Sequence, residues 1–334
     1  MIDTIRSVAR KYASPDNPRA WIELAVTLLL YLAFGIAALL SIGTWPLTLA
    51  LMAATAGLAL RIYMIQHDCL HRAFFSSRLV NDVVGKLLSP IAMTPYEITR
   101  YKHNLHHAHV SDLDRRDTFE IYVMTHAEWA AAGPWQRLGY RIYRSPVTLI
   151  LLGPYIVYMF FRRCPPAAFK VGFGDLILHN LMIAAMIWAI WAGFGWTGVA
   201  VWAGTVWMGT AFGALIPYIV HNFEQIHWGR KPDLDYETAC LEGASVLDWG
   251  RGFDLLMMNI GYHDLHHLNA RIPGYKLKAA HQELEAKGLV QSEKIGFFEG
   301  LGCLRWKLYD EAAGCMTGFP RGAWRGGQVA HPTE

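Results

Sequence analysis

Apolar residues crowd into a few long runs, and polar residues fill the stretches between them. Four runs are long enough to cross a bilayer: WIELAVTLLLYLAFGIAALLSI (21–42), WPLTLALMAATAGLALRIYMI (45–65), DLILHNLMIAAMIWAIWAGFGW (175–196) and GVAVWAGTVWMGTAFGALIPYIV (198–220). A helix rises about 1.5 Å per residue, so roughly 20 apolar residues span a hydrocarbon core of about 30 Å. Very short connections near 43 and 197 separate the members of each pair, which predicts two helical hairpins; Pro46 suits a first helical turn. A fifth run, VTLILLGPYIVYMFF (147–161), is shorter, contains Pro154 and carries Arg141 and Arg144 before it and Arg162 and Arg163 after it. A single crossing would strand one basic cluster outside, so this run reads as interfacial or re-entrant. The expected class is all-α: a polytopic membrane protein with four spans, interfacial helices and a helical cap.

Composition supports that class. Of the 334 residues, 53% are hydrophobic and 17% charged, and the mean hydropathy is +0.20. The net charge of +3 includes no dense basic run, so nucleic acid is excluded as a partner. Five cysteines form no CxxC pair and read as reduced thiols. Basic residues orient the spans: Arg6, Arg10, Lys11 and Arg19 precede the first, Arg61, Arg72, Arg78, Lys86, Arg100 and Lys102 follow the second, and the turns carry none. Both hairpins should therefore enter from and return to the cytoplasm, with both termini there. Trp21, Trp45 and Trp196 read as interfacial anchors. The N-terminus does not fit a cleaved signal peptide. The expected organisation is a segment over 1–20, one membrane domain over 21–315 and a loose Gly- and Pro-rich tail over 316–334.

Candidate chemistry lies in the histidines. Eight of fifteen fall in three clusters: His67 and His71 in HDCLH; His103, His106 and His107 in HNLHH; and His263, His266 and His267 in HDLHH. A helix puts positions i, i+3 and i+4 on one face, so each cluster can aim two or three imidazoles at one point. One such pair is commonly an accident of composition, but the HxxHH form recurs across more than 150 residues, each time beside a membrane span. Eight imidazoles are twice the need of a structural zinc site, and a two-metal centre accounts for the surplus. Imidazole suits iron, zinc, copper and nickel alike. A redox-capable iron pair is favoured because a bilayer delivers hydrocarbon, and oxidising unactivated carbon requires redox chemistry.

The order HxxxH, HxxHH, HxxHH around two hairpins resembles the membrane fatty acid desaturase superfamily, over roughly 60–290. The blocks HDCLHRAFF, HNLHHAHVSDLDRRDTFEIYVMT and NIGYHDLHHLNARIPGYKLKAAHQE carry the resemblance, and the last two look like the bacterial and plastid acyl-lipid delta-12 (omega-6) branch. It implies that the eight histidines ligate two non-haem irons, joined by a ninth at the end of the last span, where YIVHNFEQIHW favours His221 over His227. Relatives that add an asparagine four residues earlier have Pro217 as their counterpart here, which leaves Asn222 and Asn259 as alternatives. Asp68, Asp112, Asp264 and Glu224 are candidates to accept the far ring N–H groups. His109 is set aside, His179 reads as snorkelling at the interface, and His126, His281 and His331 lack metal-like spacing. Met257 and Met258, in a segment expected to present the third cluster, read as packing residues.

The implied activity is O2-dependent insertion of a cis double bond into a membrane-lipid acyl chain, in an integral protein of a bacterial inner membrane with its site on the cytoplasmic face. The apolar spans and 147–161 would supply a narrow acyl tunnel. Neither an HPGG haem stretch nor an iron–sulfur cysteine cluster is present, so electrons imply a separate ferredoxin or cytochrome b5-like protein. Arg115, Arg116, Arg230, Lys231, Arg271, Lys276 and Lys278 are candidates to dock an acidic donor. Two alternatives stay open: a related di-iron hydroxylase or ketolase acting on a lipid or carotenoid, and a non-catalytic membrane metal-binding or transport protein.

Overall fold

The structure is a computed structural model that describes residues 2–118 and 121–320. It is mostly helical. An amphipathic helix α1 (Ile2–Tyr12) precedes α2 (Asn17–Leu40) and α3 (Trp45–Leu70). Asp16 caps α2 by accepting the Arg19 N–H at 3.1 Å, and prolines stand in the first turns of both long helices, where a missing N–H costs nothing. Then come α4 (Arg78–Ala92), α5 (Tyr96–Ala108), α6 (His126–Ala131), α7 (Pro134–Tyr143) and α8 (Gly153–Met159), the last preceded by a π turn at Val147–Leu152. The chain continues through α9 (Phe173–Val220), α10 (Tyr236–Glu242), α11 (Arg251–Leu256), α12 (His263–Leu268), α13 (Gly274–Ala286) and α14 (Phe297–Gly302). Short strands tie the polar part together: β1 (Met124–Thr125) pairs in parallel with β4 (Leu308–Asp310), which pairs antiparallel with β5 (Cys315–Thr317). A second parallel pair joins β2 (Val246–Leu247) to β3 (Lys294–Ile295).

Among the described residues, four helical stretches are long and apolar enough to cross a membrane: 17–40, 45–70, 147–169 and 173–220. They differ from the expected four. The first two expected spans are present, but the second runs on to Leu70 and carries His67 on the same rod. The two expected at 175–196 and 198–220 form one helical run, α9, interrupted at Gly195, whose φ of 62° is left-handed. Forty-eight residues in a straight helix would extend roughly 72 Å, more than twice a bilayer core. The halves instead share one apolar cluster, in which Ile183, Ile187 and Ile190 pack with Trp202, Ala203 and Val206. The run expected as interfacial or re-entrant, 147–161, opens a 23-residue stretch that ends at Phe169. Its basic end is turned inward: the Arg163 guanidinium donates to the carbonyls of Met93 (3.1 Å) and Tyr158 (3.0 Å), and Pro154 sits in the first turn of α8 without breaking it.

The long helices meet through apolar residues with a few buried polar groups among them, and are apolar outside. Large residues such as Leu29, Leu40, Leu181 and Trp196 are exposed, as lipid-facing surfaces require. In α3 every residue from Met64 to Leu70 is buried. Buried polar groups set its neighbours. Gln66 Nε2 donates to Gly85 O (3.0 Å) and Thr94 O (3.1 Å), and the Tyr96 hydroxyl donates to Cys69 O at 2.7 Å, fixing α4 and the start of α5 against the end of α3. At the C-terminal side, fully buried Arg144 donates to Asn222 Oδ1 (2.5 Å) and Trp306 O (3.0 Å). β5 takes Met316 and Thr317 into paired structure, so the tail boundary expected at 315/316 falls inside a strand; the remainder of that tail, 321–334, lies outside the described residues.

Between α2 and α3, Arg61 donates to Glu23 Oε2 at 2.5 Å and to Thr27 Oγ1 at 3.0 Å. Glu23→Leu leaves this guanidinium unmatched and should cost on the order of 3 kcal/mol, whereas E23L/R61L should recover most of the loss because two apolar groups replace the pair. Thermal unfolding in detergent reads both; equal losses in the single and double variants would contradict this account.

Candidate metal centre

The nine histidines named from the sequence converge on one place. α3 supplies His67 and, at its C-cap, His71; α5 supplies His103, His106 and His107; His221 caps the end of α9; α12 supplies His263, His266 and His267. They form two groups. His67, His71, His103, His107 and His266 make one, His106, His221, His263 and His267 the other, and within each group one ring nitrogen from every histidine lies within 4.8 Å of the others. His227 joins neither group.

The HxxHH spacing explains the division. Along a helix, i and i+4 stand about 40° apart while i+3 points about 60° to the other side. His103 and His107 of α5 thus serve the five-ring group and His106 the four-ring group, whereas α12 sends His263 and His267 to the four-ring group and His266 to the five-ring group.

The rings suit a metal better than one another. His263 Nε2 and His267 Nε2 each lie 3.1 Å from His221 Nε2 and 3.2 Å from each other. His221 Nδ1 is 2.9 Å from the Gly243 carbonyl, which fixes its proton on Nδ1 and leaves Nε2 a bare lone pair. In the other group, His107 Nε2 is 3.1 Å from both His103 Nε2 and His266 Nε2, and buried His71 Nε2 has no hydrogen-bond partner among the described residues. Nitrogens about 2.1 Å from a shared cation and at right angles around it would stand about 3.0 Å apart. Burial, and then the neighbouring rings, hold His103, His106, His107, His263, His266 and His267 well below the ordinary imidazole range; burial brings His221 down to about 4. Neutral imidazole is the ligating form.

Residues 42–294 match the fatty acid desaturase family. The chain belongs to the fatty acid desaturase family. It is therefore an oxidoreductase. A fatty acid desaturase of Bacillus subtilis (strain 168) is 32% identical over 303 residues, covering 90% of this chain and 86% of that protein. A chloroplastic omega-6 fatty acid desaturase of Glycine max is 26% identical over 306 residues, 85% of this chain and 66% of the longer plant protein. An sn-1 oleoyl-lipid 12-desaturase of Anabaena variabilis is 24% identical over 297 residues, 85% of this chain and 81% of that protein.

Around the rings of this desaturase the surroundings differ from expectation. None of the four nominated carboxylates makes a hydrogen bond to a clustered ring. Asp68 Oδ1 is 3.7 Å from His67 Nδ1, and its other oxygen accepts the Gly274 N–H at 2.6 Å. Asp264 engages Leu265 N, Ser292 and His281; Asp112 lies 3.6 Å from His109; Glu224 is half exposed and 3.9 Å from Arg305. The carbonyl of Gly243 holds His221 instead, and no side-chain motif advertises a backbone acceptor. Asn222 is turned to Arg144 and Asn259 to Gly274 O (2.7 Å). His179 is fully buried with Nδ1 2.9 Å from Ser89 Oγ, a packing contact where snorkelling was expected. His126 sits 2.6 Å from Thr317 Oγ1, and His331 lies outside the described residues. Met257 and Met258 are buried in the main apolar core.

The basic residues nominated for docking are largely engaged within the chain. Arg116 is buried against Glu128, Arg230 pairs with Asp114 and Glu311, Lys278 with Asp254, and Lys276 Nζ donates to Ser14 O.

Two outcomes follow from this geometry. The unfolded rings titrate near the ordinary 6.5 while His221 titrates near 4 in the fold, so the unfolded chain binds more protons between these values. Stability of the metal-free protein should be full above about pH 6.5 and fall steadily toward pH 4; urea unfolding at stepped pH reads it, and a flat profile would refute neutral burial. At Gly243 an added Cβ would collide with Ser111 Oγ and Ala239 O, so Gly243→Ala should shift the carbonyl from His221 and weaken iron(II) binding about tenfold. Calorimetry with wild-type affinity in that variant would remove Gly243 from the site.

Proposed function

We propose that this desaturase inserts a cis double bond into an acyl chain of a membrane lipid, in a delta-12 (omega-6) type reaction. The observation that carries the reading is the pairing of a five-histidine and a four-histidine group, to which apolar α3 and α9 bring His67, His71 and His221 at their ends and α5 and α12 bring the other six rings. His67, His71, His103, His107 and His266 would hold one iron, and His106, His221, His263 and His267 the other. Bound there, a non-haem iron pair would supply the oxidising chemistry: with O2, two external electrons and two protons, two hydrogens leave adjacent methylenes and both oxygen atoms end as water.

The chain's own residues do the rest. Burial keeps the rings of His71, His103, His106, His107, His221, His263, His266 and His267 uncharged and their lone pairs available at neutral pH. The Gly243 carbonyl holds His221 in one tautomer. Exposed apolar faces of α2, α3 and α9 keep the protein in the lipid phase, where the acyl chain is already at hand. The helical pairs α2–α3 and the two halves of α9 would act as two hairpins that return to the cytoplasmic face of a bacterial inner membrane, as the distribution of basic residues supports. A single membrane domain over about 21–315 would carry the site. Electrons would come from a separate ferredoxin or cytochrome b5-like protein. The delta-12 assignment draws support from relatives named omega-6 and sn-1 oleoyl-lipid 12-desaturases.

Expression in a bacterial host without polyunsaturated lipids, followed by mass spectrometry of total fatty acids, tests the reading with His106→Ala alongside. A diene two mass units below its monoene, absent with H106A, is expected. A product sixteen units heavier would make the protein a hydroxylase, and a double bond elsewhere on the chain would remove the delta-12 assignment.

A further inference from the structure

Helix α13 contributes no ring to either histidine group, yet the acids that follow the first histidine of HDCLH and of HDLHH both end on it. Asp68 Oδ2 accepts the backbone N–H of Gly274, the first residue of α13, at 2.6 Å. A Cβ at Gly274 would lie 2.4 Å from Met258 O and 3.2 Å from Asp68 Oδ2, so this close approach requires glycine. Two turns along the same face of the helix, fully buried His281 places Nε2 2.9 Å from Ser292 Oγ and 3.3 Å from Asp264 Oδ2. Ser292 hydrogen-bonds the same carboxylate, which also accepts the Leu265 N–H at 2.7 Å at the start of α12. From behind, Ile5, Val8 and Ala9 of α1 pack on Leu277, Ala280 and Leu284 of α13, and Tyr12 donates to Glu283 at 2.6 Å.

We propose that α13 is a strut that sets the separation of α3 from α12, with His281 as its positioning residue. The inference rests on the two-metal reading given above. α12 enters the five-ring group through His266 alone, whereas His67 and His71 come from the end of α3. That group therefore closes only when the two helices are held at one distance. Asp68 fixes one end of the strut and Asp264 the other. His281 supplies the N–H that completes the second joint, and Ser292 brings in the loop leading to β3. A purely structural role would change stability alone; a strut changes metal affinity in a protein that still folds.

The full chain, purified in detergent and stripped of metal, is titrated anaerobically with iron(II) by calorimetry, and the ⁵⁷Fe-loaded protein is examined by Mössbauer spectroscopy. Wild type is expected to bind two equivalents. H281L should keep its helical spectrum and elution volume but bind one equivalent about tenfold or more weakly, with one of the two iron signals lost. H281Q retains an N–H donor near the imidazole Nε2 position and should return to within about threefold of wild type. H281L that binds both equivalents at wild-type affinity overturns the proposal. Should H281L fail to fold, S292A decides: weakened binding of one equivalent supports the strut, and wild-type affinity for both overturns it. A wild type that takes only one equivalent removes the two-metal reading, and the ratio of H281L to wild-type affinity for that equivalent still decides the strut.

Discussion

Nine imidazoles, six of them buried and three half-buried, with their nitrogens facing each other at 3.1–3.2 Å where the closest pairs meet, set the terms for everything around them. Buried polar atoms cost free energy unless partnered, and rings whose lone pairs point at one another cannot all satisfy themselves. Such a cluster persists only if the elements that carry it are held firmly from outside. That requirement accounts for the buried polar contacts at the ends of α3, α5, α9 and α12: Gln66 on Gly85 and Thr94, Tyr96 on Cys69, Gly243 on His221, and Asp264 on the start of its own helix.

The two histidine groups are not independent. Because HxxHH sends its first and last rings one way and its middle ring the other, α5 and α12 each belong to both groups, in opposite proportions. Neither group can form before both helices are in place. α3 and α9 then complete one group each, His67 and His71 closing the first and His221 the second. The centre is therefore an assembly of helix ends, which is why helix starts and stops are controlled by prolines, caps and a left-handed glycine where one long run must break.

The lipid-facing part obeys a different rule. Its outside is as apolar as its inside, so polar contacts between helices such as Arg61 with Glu23 supply specificity that apolar burial cannot, lipid being no less apolar than leucine. Basic residues that look available along the chain are drawn into ion pairs or onto carbonyls once the polar part folds, as with Arg116, Arg163 and Arg230.

By itself the sequence determined the membrane class, the approximate reach of the first two long helices and eight of the nine clustered histidines, and the resemblance to a known family added His221. The spans and those eight rings are written in local period or spacing: about twenty apolar residues in a row, or rings at i, i+3 and i+4. Tertiary structure alone decided which ring joins which group, that 175–196 and 198–220 form one run broken at Gly195, that the apolar stretch from 147 runs on to 169, and that Gly243 rather than a nominated carboxylate holds His221. These depend on contacts between residues far apart in the chain. A backbone carbonyl looks the same at every position, and whether a carboxylate faces a ring or a neighbouring helix depends on what packs beside it; Asp264 and His281, seventeen positions apart, meet only because α12 and α13 do.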